Sequence, residues 1–124
     1  MLLYEDLSSK IIQGFYTVHH ALGSGLLEGP YHKALYLCLR NMGLSVRSQV
    51  PFIVMFQGEV VGEYLADIVV EDRIIVEVKS VQSLNNVMQA QVINYLKISG
   101  LRLGFLVNFQ GINVQFKRFV NTPP

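Results

Sequence analysis

Two acids and a base interrupt the apolar middle of the chain. In "YLADIVVEDRIIVEVKS", Asp67, Glu77 and Lys79 stand among isoleucines and valines. Strand side chains alternate between faces, so Glu77 and Lys79 share one face and Val78 takes the other. Buried charges are tolerated only when paired or bound to something. If the chain turns back at Glu71–Asp72, Asp67 and Glu77 lie at comparable distances from the turn, with Asp67 expected on the face of Leu65 and Val69. Carboxylates that close repel unless one is protonated or a cation lies between them. Hard oxygen ligands of this kind suit Mg²⁺ or Mn²⁺, with waters completing the shell. A lone Glu-x-Lys is most often a solvated edge pair. Here both strands are apolar on both faces, as central strands are, which strengthens the chemical reading.

Three other residues are candidates. Gln91 is expected within an apolar helical arc of Leu84, Val87, Met88, Val92, Tyr95 and Ile98. An amide facing a core needs partners, either structural ones or those of a site. Tyr95 follows one turn later, beside Gln91. Glu28, in "GLLEGPYH", precedes a second helix, where an acid favoured by the helix dipole is the plainer reading.

The elements that must position these residues follow from periodicity and punctuation. Leu7, Ile11, Phe15, Val18 and Leu22 predict a helix over 5–22, ended by Gly23. After the glycine-rich turn "GSGLLEG", a second helix is expected over 30–42, stopped by Gly43. Strands are expected over 46–56, 60–70, 73–79, 103–109 and 113–119, and a third helix over 84–99. The order ααβββαββ describes an α/β (α+β) fold, one mixed sheet flanked by helices. At 124 residues the chain is expected to form a single domain, 1–124.

Composition narrows the class. The chain is 51% hydrophobic and 15% charged, which excludes disorder. Its apolar stretches, such as "PFIVMF", are far shorter than the roughly 20 residues of a membrane-spanning helix. The acidic start at Glu5 and Asp6 is unlike a signal peptide. A single cysteine, Cys38, forms no intrachain disulfide and fits a reducing, cytoplasmic setting. Mean hydropathy of +0.35 is high for this size and points to a homodimer that covers some of the excess. "GSGLLEG" is no dinucleotide fingerprint, because it follows a helix and has Glu28 where the third glycine belongs. His19, His20, His32 and Cys38 lack zinc-ligand spacing.

Taken together, "ADIVVEDRIIVEVKS" and "QAQVINY" resemble the PD-(D/E)xK nuclease superfamily, whose restriction-endonuclease-like core is an αβββαβ unit. Asp67 matches the motif aspartate, Glu77 and Lys79 the E-x-K, and Gln91 with Tyr95 the Q-x-x-x-Y of some branches. "GSGLLEGPYHKAL", "AQVINYLKISGLRLGFLVNF" and the closing "FKR" are similar to the small GxxExxxR branch across nearly the whole chain. In that motif Gly25 and Glu28 are present, whereas His32 stands in place of arginine. His32 would contact phosphate or orient Glu28 only weakly. Ala66 replaces the motif proline, which a strand interior does not need.

The resemblance implies a metal-dependent phosphodiesterase, a nuclease acting on nucleic acid, with DNA expected before RNA. It implies Mg²⁺ or Mn²⁺ held by Asp67, Glu77 and the Val78 carbonyl, with Glu28 completing the shell through water or helping to hold a second ion. Lys79 would orient the attacking water or balance charge on the phosphate, and Gln91 would position Lys79, water or substrate. With those acids neutralised, nine lysines and arginines remain to follow a phosphate backbone. The alternative is an inactive nuclease-fold module that binds nucleic acid or a protein partner.

Overall fold

The computed structural model describes residues 3–122. In chain order its elements are α1 (Glu5–Leu22), α2 (Glu28–Asn41), β1 (Val46–Phe56), β2 (Glu59–Val70), β3 (Ile74–Lys79), α3 (Asn86–Ser99), β4 (Leu103–Asn108) and β5 (Gln115–Val120). The strands form one sheet in the order β1-β2-β3-β4-β5. Only β3 and β4 run parallel; the other neighbours are antiparallel. A parallel pair needs a crossover, and α3 supplies it. This is the mixed α+β architecture expected from the sequence.

Each face of the sheet has its own core. On one face α1 and α2 pack Ile11, Phe15, Tyr31, Leu35 and Leu39 against Ile74, Val76, Val78, Phe105 and Val107. On the other, α3 packs Val92 and Leu96 against Val69, Ile75 and Leu106. Gly104 makes that approach possible, since a Cβ there would lie 3.1 Å from Val92 Cγ1 and 3.4 Å from Leu96 Cδ2. β3 is buried on both sides, the environment expected of a central strand.

Two details position the candidate residues. α2 begins at Glu28, two residues earlier than periodicity suggests, and Pro30 is accommodated in its first turn, where no helical partner awaits the N–H. Strand alternation also breaks at Asp67. Tyr64 and Ala66 pack on the α3 side, whereas Ile68 and Val70 pack on the side of α1 and α2. Gln49 and Asp67 are both skipped in the β1–β2 pairing, between Ser48–Ile68 and Val50–Ala66, and the Gln49 φ of 55° places it in the left-handed region. Asp67 therefore does not simply share a face with Leu65 and Val69: Leu65 is 47% exposed and Val69 is buried. The break frees Asp67 from ladder pairing and turns it toward β3.

Candidate active site

The β2–β3 ladder ends at the pair Ile68–Val76. Beyond it, side chains take over the hydrogen bonding. Asp67 Oδ2 accepts from the Val78 N–H at 2.8 Å, and Glu77 Oε2 accepts from the Asp67 N–H at 2.8 Å. Each carboxylate therefore satisfies the backbone of the opposite strand and retains a second oxygen. In an extended strand the N–H and C=O of one residue point along the same edge. The Val78 carbonyl thus points toward β2, as its N–H does.

Glu77 is buried, and burial pushes its carboxyl up to about 8, with the neighbouring Asp67 charge adding to the rise. The Asp67 N–H and Lys79 act in the opposite sense, and Glu28 raises it further. A buried acid beside a second acid is stabilised in its charged form by a cation. The donor set of two carboxylate oxygens and a carbonyl suits a hard divalent ion that keeps several waters. Among the described residues no group of three or more His, Cys, Asp or Glu side chains forms a metal cluster. The fit is therefore to two carboxylates, with Glu28 outside direct clustering.

Glu28 faces the same place from α2. Partial burial raises its carboxyl first; Lys79 lowers it, Asp67 raises it and His32 lowers it. Its position depends on the preceding loop. Gly25 adopts φ 93°, and the buried Tyr31 hydroxyl donates to the Gly23 carbonyl and accepts from the Leu26 N–H. Stacking on Phe109 at 4.9 Å fixes the Tyr31 ring. His32, one turn after Glu28, is hydrogen-bonded through Nε2 to Ser48 Oγ at 2.8 Å, next to Gln49.

The third helix is rotated relative to expectation. Val92 and Leu96 are its buried residues, Val87 is 67% exposed, and Gln91 is exposed at the rim instead of facing the core. The apolar arc centres on Val92 and Leu96, and one residue step of about 100° carries Gln91 out of it. Tyr95 remains half-buried and stacks on Tyr64 with ring centroids 3.3 Å apart. Tyr64 opens the stretch that carries Asp67 but is not singled out by the sequence, and its hydroxyl is buried, with the charges of Glu77 and Asp67 acting on it. Alternation with Ala66 was its only signal.

The site thus joins Asp67, Glu77, Val78 and Lys79 at the end of the β2–β3 ladder, with Glu28 and His32 approaching from α2. A family model of the PD-(D/E)XK nuclease superfamily matches residues 5–119. The chain belongs to that superfamily. The crystal structure of SSO0001 is similar in fold, with a TM-score of 0.61 at 20% sequence identity. The likeness covers 98% of this chain and 61% of that one, so this chain spans about three fifths of the SSO0001 chain. No curated protein shows a significant sequence match. Superfamily membership associates the fold with nuclease activity, nucleic-acid substrates and divalent metals. No described helix is long and apolar enough to cross a membrane.

Proposed function

We propose that the protein is a divalent-metal-dependent nuclease of the GxxExxxR branch, acting on DNA. The observation that carries this reading is the reciprocal arrangement of Asp67 and Glu77. Each carboxylate holds the other strand's backbone with one oxygen and has a second for a cation. Asp67, Glu77 and the Val78 carbonyl would hold Mg²⁺ or Mn²⁺, with Glu28 acting through water. When bound, such an ion supplies a Lewis acid for the phosphate and lowers the pKa of a water ligand.

The chain's own residues provide the remainder. Lys79 follows Glu77 on the same strand face and donates to phosphate oxygens as negative charge grows on them. Glu28, at the first position of α2, orients water entering the site. His32 is tied to Ser48 and so supports the α2–β1 junction, a smaller role than a phosphate-gripping arginine would have. Gln91 at the helix rim reaches substrate, with Tyr95 fixing the inner side of α3.

A homodimer belongs to the same reading. Ile53, Met55, Phe56, Val60, Val61 and Leu65 are all exposed on the β1–β2 hairpin. Residues 48–72 contain no lysine or arginine, so this hairpin suits a second copy of the chain better than a phosphate backbone.

The test is cleavage of labelled duplex, single-stranded, nicked, flapped and four-way-junction DNA, and of RNA, with Mg²⁺ or Mn²⁺. Metal-dependent cutting abolished by Glu77→Ala and by Lys79→Ala is expected. Cutting that survives both substitutions contradicts this assignment of the site, and binding without cutting favours the inactive-module alternative.

A further inference from the structure

The loop that presents Glu28 has little of its own to hold it in place. Gly23 and Gly25 adopt φ of 72° and 93°, which glycine reaches without steric cost. Leu26 is 40% exposed and Leu27 82% exposed, so neither anchors the loop by packing. Leu27 stands at the N-cap of α2 yet makes no side-chain capping hydrogen bond. Glu28, the first residue of that helix, is therefore placed by whatever fixes the backbone just before it.

Two hydroxyls fix that backbone, one at each end of Leu26. Its N–H donates to the Tyr31 hydroxyl at 3.2 Å, and Tyr31 belongs to α2 itself. Its carbonyl accepts from the Ser80 hydroxyl, which lies 54 residues further along the chain. Ser80 directly follows Lys79, so this second bond joins the loop of Glu28 to the strand of Glu77 and Lys79. Ser80 is also a fixed post. The Lys79 carbonyl before it accepts from the Phe109 N–H at 3.0 Å, and Asn108 holds both backbone groups of Val81 after it. The other ties described for α2 reach elsewhere: His32 bonds to Ser48 on β1, and Tyr31 stacks on Phe109 beyond β4.

We propose that Ser80 is a positioning residue: by holding the Leu26 carbonyl, its hydroxyl sets Glu28 against Glu77 and Lys79. The consequence for cleavage rests on the nuclease reading. The restraint on the loop does not.

Amide hydrogen exchange, read by NMR, measures the restraint without any substrate. In Ser80→Ala the Leu26 N–H should exchange about five- to tenfold faster, because a loop released at one end opens more often. The Gly23 N–H, held by the His19 carbonyl, and the Val78 N–H, held by Asp67, should keep their rates. Ser80→Thr retains a hydroxyl and should restore the protection. Unchanged exchange at Leu26 in Ser80→Ala, or equal loss at all three amides, overturns the proposal. In the cleavage assay a double-mutant cycle reads the route of the effect. Ser80→Ala should lower kcat about tenfold with KM for nucleic acid unchanged, and by less than about twofold in a Glu28→Ala background. Equal losses in the two backgrounds overturn the role through Glu28. Absence of cleavage by the unsubstituted protein contradicts the nuclease reading alone, and the exchange rates still decide whether Ser80 holds the loop.

Discussion

Glu77 is the one buried acid among the described residues, and its surroundings dictate how the protein responds to pH. An unfolded chain releases the proton near the ordinary value of 4.5, whereas burial and then Asp67 hold it in the folded protein to about 8. The unfolded state therefore binds fewer protons between those values, and stability falls as pH rises through that window. Metal-free protein should lose roughly a few kcal/mol of stability between pH 5 and pH 8. Glu77→Gln should flatten that slope, as denaturant unfolding at a series of pH values would show. The sequence made Glu77 and Lys79 legible because charges in an apolar strand are costly without a purpose. It placed Gln91 wrongly because Val87, apolar but 67% exposed, biased the helical arc toward it. Tyr64 escaped notice because a tyrosine in an alternating strand reads as ordinary core; only its enclosed hydroxyl distinguishes it.

At the scale of elements, the site depends on how the segment between β3 and α3 is tied down. Asn108, at the end of β4, is buried and grips that segment. Its Oδ1 accepts from the Val81 N–H at 3.1 Å, and its Nδ2 donates to the Val81 carbonyl at 2.9 Å. Asn108→Ala should cost about 2 kcal/mol in chemical denaturation, since buried backbone groups lose their partners. It should also reduce cleavage, because Val81 lies two residues beyond Lys79. The elements themselves were largely legible: helical spacing gave α1, and the strands emerged within a few residues of their observed bounds. The break in pleating at Gln49 and Asp67 was not. It requires a left-handed backbone at a glutamine, and no local preference announces that. The turn from Gly23 to Leu27 is the contrasting case, since glycine at Gly25 supplies its φ of 93° without steric cost.

Across the whole molecule, the β1–β2 hairpin stands out as an apolar surface poor in basic residues. The hairpin built from β1 and β2 carries six exposed apolar side chains together with Glu59 and Glu63, while most basic residues lie outside it. In the proposed reading the hairpin takes a second copy of the chain. Sedimentation should show a dimer that Phe56→Glu with Val60→Glu converts to monomer; dimers persisting in that variant would place the interface elsewhere. High mean hydropathy motivated the expectation of a dimer, and it does not say which elements carry the exposed apolar side chains. In the proposed mechanism Asp67 and Glu77 together hold a divalent ion. Calorimetric titration of Mn²⁺ into the protein and into its Glu77→Gln and Asp67→Asn variants tests it most directly. Saturable binding by the unsubstituted protein, lost in both variants, is the predicted result. Binding of equal strength in all three proteins, or none in any of them, would contradict it.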